Sequence, residues 1–334
     1  MATAPARNAD LALRELRGIA ELSAGAGLIG EVFGATNGEP VPADLMMAIS
    51  LSGGYIGGAF LGDALVGVAV GFGEIQAPGG PPPTAMHSHV AAVSEAARGQ
   101  RIGWNLKMHQ REWALARGID AIEWTFDPLV RRNAFVNLTL LGARGVRYLP
   151  NLYGEIPDAL NAGQESDRIL VRWDLNSPTA IAAAQGSIAE PVLASAEIAA
   201  ATLPPSDEAG APIVRVEAGG GSAPGARGRL LCGTPGDIEA MLATNPEQAK
   251  AWRRAQRSVL APAIESGSQI TGITAPAGTS WRRRHEARSP APAPHHAAAG
   301  DPVSHLAERR DRTDPRHPRS RHGYRHGLGR VLHR

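Results

Sequence analysis

The stretch AMHSHVAAVSEAARGQRIGWNLKMHQREWALARG, residues 85–118, decides the fold predicted for this chain of 334 residues. Its first ten residues are typical of a strand, and residues 101–117 repeat apolar side chains at spacings of three and four, as a helix does. Gly118 follows where a helix C-cap belongs. A strand, a glycine-containing loop and a helix N-terminus together favour an anion site, because the first helical turn leaves amides unpaired and the helix dipole is positive there.

The elements on both sides of this stretch predict a mixed α/β sheet. Asp44 is expected to cap a short helix, and Gly62-Asp63 to form a tight hairpin turn. The order is strand, helix, helix, hairpin, strand, helix, strand, helix, strand, strand. The expected strands are residues 10–17, 55–61, 64–74, 85–94, 121–127, 146–152 and 169–175, and the expected helices are residues 18–34, 45–53, 101–117 and 129–141.

Composition and pattern divide the chain into four regions. Residues 1–175 form the main α/β domain, 176–212 an Ala/Pro-rich linker with one weak helix, and 213–280 a small α/β extension. Residues 281–334 have no period and contain 13 Arg, no Lys and 5 acidic residues, so a disordered basic tail is expected. The abrupt change near residue 280 favours a frameshift product of a GC-rich gene. A solvated tail and a nucleic-acid-binding arm are the alternatives.

The bulk sequence also indicates a compartment. Cys232 is the single cysteine, so a disulfide within the chain is excluded and a reducing cytoplasm is the simplest location. The N-terminus lacks the basic-then-apolar layout of a secretory signal. No apolar run approaches the roughly 20 residues that a membrane span needs. The sequence therefore predicts a cytoplasmic protein without a membrane partner.

The loop RGQRIG, residues 98–103, is the predicted phosphate site. Its glycines allow the backbone to approach a phosphate closely, and its arginines add positive charge beside it. The spacing matches neither GxGxxG nor GxxxxGK[ST], so an ordinary strand-to-helix turn is the alternative. The residues assigned to cofactor binding in this region are Arg98, Gly99, Gln100, Arg101, Ile102, Gly103 and Lys107.

Two histidines precede the loop on the same predicted strand. His87 and His89 are two residues apart, so they are expected to point to one face. Imidazole titrates near neutral pH, and either ring could take a proton from a reacting amine. A structural or substrate-binding role is the alternative. A metal site is not predicted, because no third ligand is apparent.

These segments, in this element order, resemble the GNAT superfamily of acyl-CoA-dependent N-acyltransferases. The hallmark of that family is Arg/Gln-x-x-Gly-x-Gly/Ala after the fourth strand, which Arg98, Ile102 and Gly103 match, whereas Arg101 replaces the first glycine. A branch of the family is similar over HSHVAAV (87–93), RGQRIGWNLKMHQREWALARGI (98–119), WTFDPLVRRNAFVNLTLLGA (124–143) and NLYGEIPDALNAGQESDRILVRW (151–173). The extension resembles that branch more loosely.

The resemblance implies a mostly antiparallel, GNAT-like sheet flanked by helices, with a V-shaped opening between the fourth and fifth strands. The pantetheine arm of acetyl-CoA or another acyl-CoA would lie in that opening and pair with Val93 and its neighbours. Its pyrophosphate would rest on the amides of residues 98–103. Arg101 can adopt the needed conformation if its φ is negative, and its guanidinium suits phosphate.

The sequence offers two candidates for the general acid. The family often uses a tyrosine where this chain has Leu138, so Tyr148 and Tyr153 are the alternatives, with Tyr153 favoured. Asn133 and Asn137 are four apart, so one helix face could present both to pantetheine or substrate, or they could cap and solvate the helix. Three further polar residues could grip a zwitterionic acceptor or form structural ion pairs: Asn161, Asp167 and Arg168.

The leading hypothesis is a direct transfer of an acetyl or succinyl-like group from CoA to a primary amine, such as that of an amino acid. Its catalytic residues would be His87, His89 and Tyr153, and no metal is called for. The second hypothesis is a CoA-binding sensor or scaffold of the same fold without catalysis. A nucleic-acid-associated protein that uses the tail ranks last. A homodimer is compatible with the sequence.

Overall fold

A computed structural model describes residues 10–34, 39–73, 85–154, 164–187, 213–217 and 229–273. All of these residues belong to one compact unit within Met1–Ser289. The basic tail predicted for residues 281–334 and most of the linker predicted for residues 176–212 lie outside the described residues.

One sheet of ten strands organises the described part of the chain, in the order β1-β2-β3-β4-β5-β7-β6-β10-β8-β9. Every neighbouring pair is antiparallel except β4 and β5, which are parallel. The prediction of a mixed, mostly antiparallel sheet flanked by helices is therefore confirmed. The strands are β1 Leu11–Glu15, β2 Tyr55–Leu61, β3 Ala64–Gly73, β4 Ala85–Val93, β5 Ala121–Phe126, β6 Arg144–Leu149, β7 Arg168–Asp174, β8 Ile213–Glu217, β9 Arg229–Gly233 and β10 Gln269–Ile273.

Helices cover both faces of the sheet. Leu22 of α1 and Met46 of α2 are buried in a cluster on one face together with Val68, whereas Leu106 of α3 packs on the other face with Ala69. Alternate residues of β3 thus serve two cores, as strand geometry requires. The helices are α1 Gly18–Phe33, α2 Ala43–Leu51, α3 Ile102–Leu115, α4 Arg131–Ala134, α5 Pro178–Ala184, α6 Ile238–Thr244 and α7 Pro246–Glu265, and a π-helix spans Phe135–Leu140.

Two local predictions are wrong. Asp44 does not cap α2, because the helix begins one residue earlier after Pro42, and the Asp44 carboxylate accepts a hydrogen bond from the amide of Leu45. The single helix predicted for residues 129–141 is instead the short α4 continued by the π-helix. The π-turn widens the winding of the chain, so residues four apart no longer share one face.

The C-terminal extension continues the same sheet. β10 pairs with β6 on one side and with β8 on the other. The hydroxyl of Thr139 donates to the carbonyl of Ile273 at 3.0 Å and accepts from its amide at 3.3 Å, so the π-helix is tied to β10. None of the helices in the described ranges has the length and apolarity of a membrane span.

Candidate active site

The sheet opens where β4 and β5 separate. The two strands pair only over Ala85–His87 and Ala121–Glu123, yet β4 continues to Val93 and β5 to Phe126. His89 is the extra residue of a β-bulge against β3, because Val70 pairs with Val90 and Gly71 with Ser88. Bulges bend a strand and increase its twist. Beyond His87, β4 therefore presents a backbone edge that no described strand covers.

The edge of β4 leads into an uncapped helix. A short 3₁₀ turn, Glu95–Ala97, connects β4 to the loop, and α3 begins at Ile102. Within the described residues, the amides of Gly99, Ile102 and Gly103 donate no backbone hydrogen bond, and no side chain caps α3. Free amides at a positive helix end are suited to an anion.

The backbone of Arg101 adopts a conformation that favours glycine. Its φ is 61° and its ψ 19°, in the left-handed region, so the condition of a negative φ stated from the sequence is not met. The cause is the sharp reversal between the loop and α3, in which Gly99 is also left-handed at φ 81°. A non-glycine residue in this region costs about 1–2 kcal/mol. Strain of this kind is concentrated at functional sites.

The Arg101 side chain folds back over the start of α3. Its guanidinium carbon lies 4.7 Å from the centre of the Trp104 ring. Its Nη1 is buried and has no hydrogen-bond partner among the described residues, and burial lowers the pKa of the group. Arg98 is exposed, with its guanidinium 3.9 Å from the Glu95 carboxylate. Arg101 is thus the arginine with unused donors at the helix end.

The remaining loop positions are close to this helix end. The side chain of Gln100 donates to the carbonyl of Ala96 at 3.4 Å. A Cβ placed on Gly103 would lie 3.8 Å from Val93, so the last residue of β4 is in contact with the first turn of α3. Ile102 is buried in the core beneath the loop and fixes the helix start against the sheet.

Lys107 lies inside the protein rather than beside the loop. Its Nζ donates to Ser88 Oγ at 2.7 Å and to Gln110 Oε1 at 3.2 Å, and it is 3.9 Å from the centre of the Trp124 ring. Ser88 and Trp124 are the first residues of β4 and β5 beyond their paired segment. Desolvation lowers the pKa of Lys107 to about 7. The lysine that was predicted to bind the cofactor therefore contacts both strands at the point where β4 and β5 separate.

His87 and His89 share one face, as predicted. Their ring centres are 6.0 Å apart, and both rings contact Phe72 of β3, at 5.3 and 5.8 Å. Burial lowers the pKa of His87, and the nearby His89 and Lys107 lower it further, against an opposing effect of Glu123. Burial also lowers the pKa of His89. Both rings are therefore neutral at neutral pH and able to accept a proton.

Tyr153 stands at the other arm of the opening. Its hydroxyl is 3.2 Å from Thr125 Oγ1 on β5, beyond the segment that pairs with β4, and 56% of the residue is exposed. Thr125 alternates with Trp124 and so lies on the same face as Glu123, the residue in register with His87. Tyr148 is different. Its hydroxyl donates a hydrogen bond to Asp167, and burial together with this bond raises the pKa of Tyr148. The hydroxyl of Tyr148 is therefore engaged within the protein.

The π-helix separates the two asparagines of the prediction. Asn133 is exposed, whereas Asn137 is buried within the π-helix. The expectation that they share one helix face is wrong, for the winding reason given above. Leu138, at the position where the resembling family has a tyrosine, is 2% exposed and packs in the core.

Arginines of the C-terminal extension bind the carboxylates near the opening. Arg253 of α7 contacts Asp127 through both terminal nitrogens, at 3.2 and 2.9 Å. Arg257 of α7 donates from Nε to Asp167 at 2.8 Å. Asp167 and Arg168 are thus in ion pairs, as the structural alternative from sequence had it, and Arg168 lies 3.5 Å from Asp127. Sequence reasoning missed these arginines, and their four-residue spacing, which places both on one face of α7, was the available signal.

Asn161 lies outside the described residues. In the described ranges, no three His, Cys, Asp or Glu side chains are grouped so that they could hold a metal ion.

Comparison with known proteins gives similar folds. No protein-family model and no curated protein sequence matches the chain. An N-acetyltransferase of Staphylococcus aureus Mu50 is similar at 16% identity and a TM-score of 0.42, over 50% of this chain and 100% of its own. The ribosomal-protein-S18-alanine N-acetyltransferase of Escherichia coli gives 12% identity and 0.40, over 50% and 95%. A GNAT family acetyltransferase of Elizabethkingia anophelis with acetyl-CoA bound gives 15% identity and 0.38, over 50% and 100%. These similarities do not identify an acceptor.

Proposed function

We propose that this chain is an acyl-CoA-dependent N-acyltransferase that moves an acetyl or related acyl group to the primary amine of a small metabolite. The observation that carries the proposal is the course of β4. The strand leaves β5 after three paired residues and leads through a left-handed turn into the uncapped N-terminus of α3. An open strand edge that ends at an anion site suits a ligand with an amide-containing arm and a phosphate group at one end.

The residues at this place fit acyl-CoA. The pyrophosphate would be held by the free amides of Gly99, Ile102 and Gly103, with the buried, unpartnered Nη1 of Arg101 beside them. The pantetheine amides would bond to the exposed backbone edge of β4 up to Val93, as an added strand does. When bound, acyl-CoA supplies an acyl group activated as a thioester.

The side chains around the opening supply the proton transfers. His87 and His89 are neutral at neutral pH because burial lowers the pKa of both, so either accepts the proton of the incoming amine, directly or through water. The hydroxyl of Tyr153, on the other arm and the same face of the sheet, is the donor for the departing thiolate. Proton acceptor and donor on opposite arms allow one substrate to reach both.

Thermal unfolding with ligands tests the binding half of the proposal. Acetyl-CoA at 100 times its Kd should stabilise the protein by about 2.7 kcal/mol and raise Tm by several degrees. Acetylpantetheine, which lacks the pyrophosphate, is the matched control and should give a much smaller shift. The absence of any shift with acetyl-CoA or succinyl-CoA at millimolar concentration would refute the proposal.

Release of free thiol from acetyl-CoA and succinyl-CoA across a panel of primary amines tests the catalytic half. Turnover that depends on one amine supports the enzyme and identifies the acceptor. The second candidate is a CoA-binding module without catalysis. Leu138 favours it, because this buried residue occupies the position at which the family that the chain resembles often has a tyrosine. That candidate predicts the thermal shift without thiol release.

A further inference from the structure

We propose that Arg257, in the C-terminal helix α7, is a positioning residue for Tyr153, so that the extension completes the active site. The role of Tyr153 in proton transfer rests on the proposed function. The contacts that join α7 to Tyr153 do not depend on it.

Asp167 is the first link between α7 and the tyrosine. Its side chain is fully buried and accepts from Nε of Arg257 at 2.8 Å, from a second nitrogen of the same guanidinium, and from the hydroxyl of Tyr148 at 2.6 Å. The pKa of Asp167 is lowered, because the hydrogen bonds from Arg257, Tyr148 and the amide of Asn151 outweigh the opposing effect of burial. Arg257 is thus the cation that lets a buried carboxylate stay ionised.

The turn that carries Tyr153 is the second link. Asn151 has a left-handed φ of 45°, and its amide donates to Asp167 Oδ1 at 2.9 Å. The amide of Leu152 donates to the carbonyl of Ser166 at 3.1 Å, and that of Tyr153 to Ser166 Oγ at 2.8 Å. Three successive amides are therefore bonded to residues 166 and 167. The hydroxyl of Tyr153 remains the exposed end of an anchored backbone.

Loss of Arg257 would remove the cation that is hydrogen-bonded to Asp167. A buried carboxylate without its cation becomes protonated or draws in water, and in both cases its acceptor geometry changes. The turn would keep its bonds to Ser166, but the amide of Asn151, the residue held in the left-handed region, would lose its fixed acceptor. Because a misplacement of about 1 Å can reduce a rate about 100-fold, Tyr153 would stay in the protein but act poorly.

Hydrogen exchange on the full chain tests the positioning without any substrate. The variants are Arg257→Gln, Arg257→Lys and, as the matched control, Arg254→Gln, which changes an exposed arginine of the same helix. We expect the amides of residues 151–153 to exchange about 10-fold faster in Arg257→Gln, with Arg257→Lys between it and wild type and Arg254→Gln unchanged. Equal exchange in Arg257→Gln and wild type would overturn the proposal. If Arg257→Gln loses protection throughout β4 and β5, Arg257→Lys decides the outcome by the same criterion.

A double-mutant cycle tests whether Arg257 acts through Tyr153. Tyr153→Phe and Arg257→Gln should each lower kcat, by about 100-fold for a lost general acid, with KM for acyl-CoA unchanged within about 2-fold. The double variant should be no slower than Tyr153→Phe. Multiplicative losses would overturn the inference. A wild-type chain that binds no acyl-CoA would refute the proposed function, whereas the exchange experiment would still decide the positioning.

Discussion

Lys107 should make the stability of this protein rise with pH. Its ammonium is buried where β4 and β5 separate, with Ser88, Gln110 and the Trp124 ring as its partners, and desolvation lowers its pKa from 10.5 to about 7. No carboxylate is among the causes of this shift. Below pH 7 the folded protein must therefore keep a charge in a place that disfavours it.

The magnitude follows from proton linkage. Between pH 7 and 10.5 the unfolded chain keeps the proton on Lys107 and the folded chain loses it, so the unfolded state binds more protons and the free energy of unfolding increases with pH. Between pH 7 and 9 this one group should add about 2 kcal/mol to the free energy of unfolding. Above pH 9 the slope flattens, because burial raises the pKa of Cys232 to about 12, so the unfolded thiol loses its proton first and offsets the contribution of Lys107; this offset is common to wild type and the Lys107 variant.

Denaturant unfolding at pH 7, 8 and 9 is the assay, with wild type, Lys107→Met and the control Lys250→Met. Methionine keeps an unbranched chain and removes the titrating group. Lys250 pairs with Glu247 near the surface at 2.8 Å and is not enclosed by the core, so its removal should leave the slope between pH 7 and 9 unchanged. We expect Lys107→Met to lack the increase of about 2 kcal/mol that wild type shows. Equal pH slopes in wild type and Lys107→Met would refute the placement of a desolvated lysine at this point.

Substitutions of Arg101 and of the two histidines test the site. Arg101→Gly removes the strain of a left-handed arginine, so it should raise the free energy of unfolding by about 1 kcal/mol and keep acetyl-CoA binding. Arg101→Glu places a negative charge at the helix end, so it should weaken acetyl-CoA binding at least about 10-fold. Calorimetric titration measures binding by both variants, and unchanged binding by Arg101→Glu would contradict the phosphate site. Because the pKa of His87 and that of His89 are lowered, kcat at saturating acceptor amine should fall with decreasing pH only below the ordinary pKa of imidazole. Replacing the catalytic histidine by Gln should remove that dependence, and full rate in both His87→Gln and His89→Gln would exclude a histidine base.

The sequence predicted the local elements well, for a physical reason. Apolar periodicity and glycine positions act over a few residues, and these located the β2–β3 hairpin at Gly62, the cap at Gly34 and the loop before α3. The prediction of a single α-helix over residues 129–141 failed, because the chain changes there from α-helical to π-helical winding. The sequence also could not indicate the left-handed φ of Arg101, because arginine itself prefers a negative φ.

The sequence by itself thus determined a mixed α/β sheet with a strand, loop and helix suited to a phosphate, and two histidines on one strand face. Only the tertiary structure decided that Lys107 is buried at the separation of β4 and β5, and that Arg257 reaches Asp167 from 90 residues further along the chain. The physical reason is that burial and ion pairing depend on which distant segments are neighbours in space. A local pattern of residues specifies helices and strands. The pKa of Lys107 and the position of Tyr153 depend on the contacts between these elements.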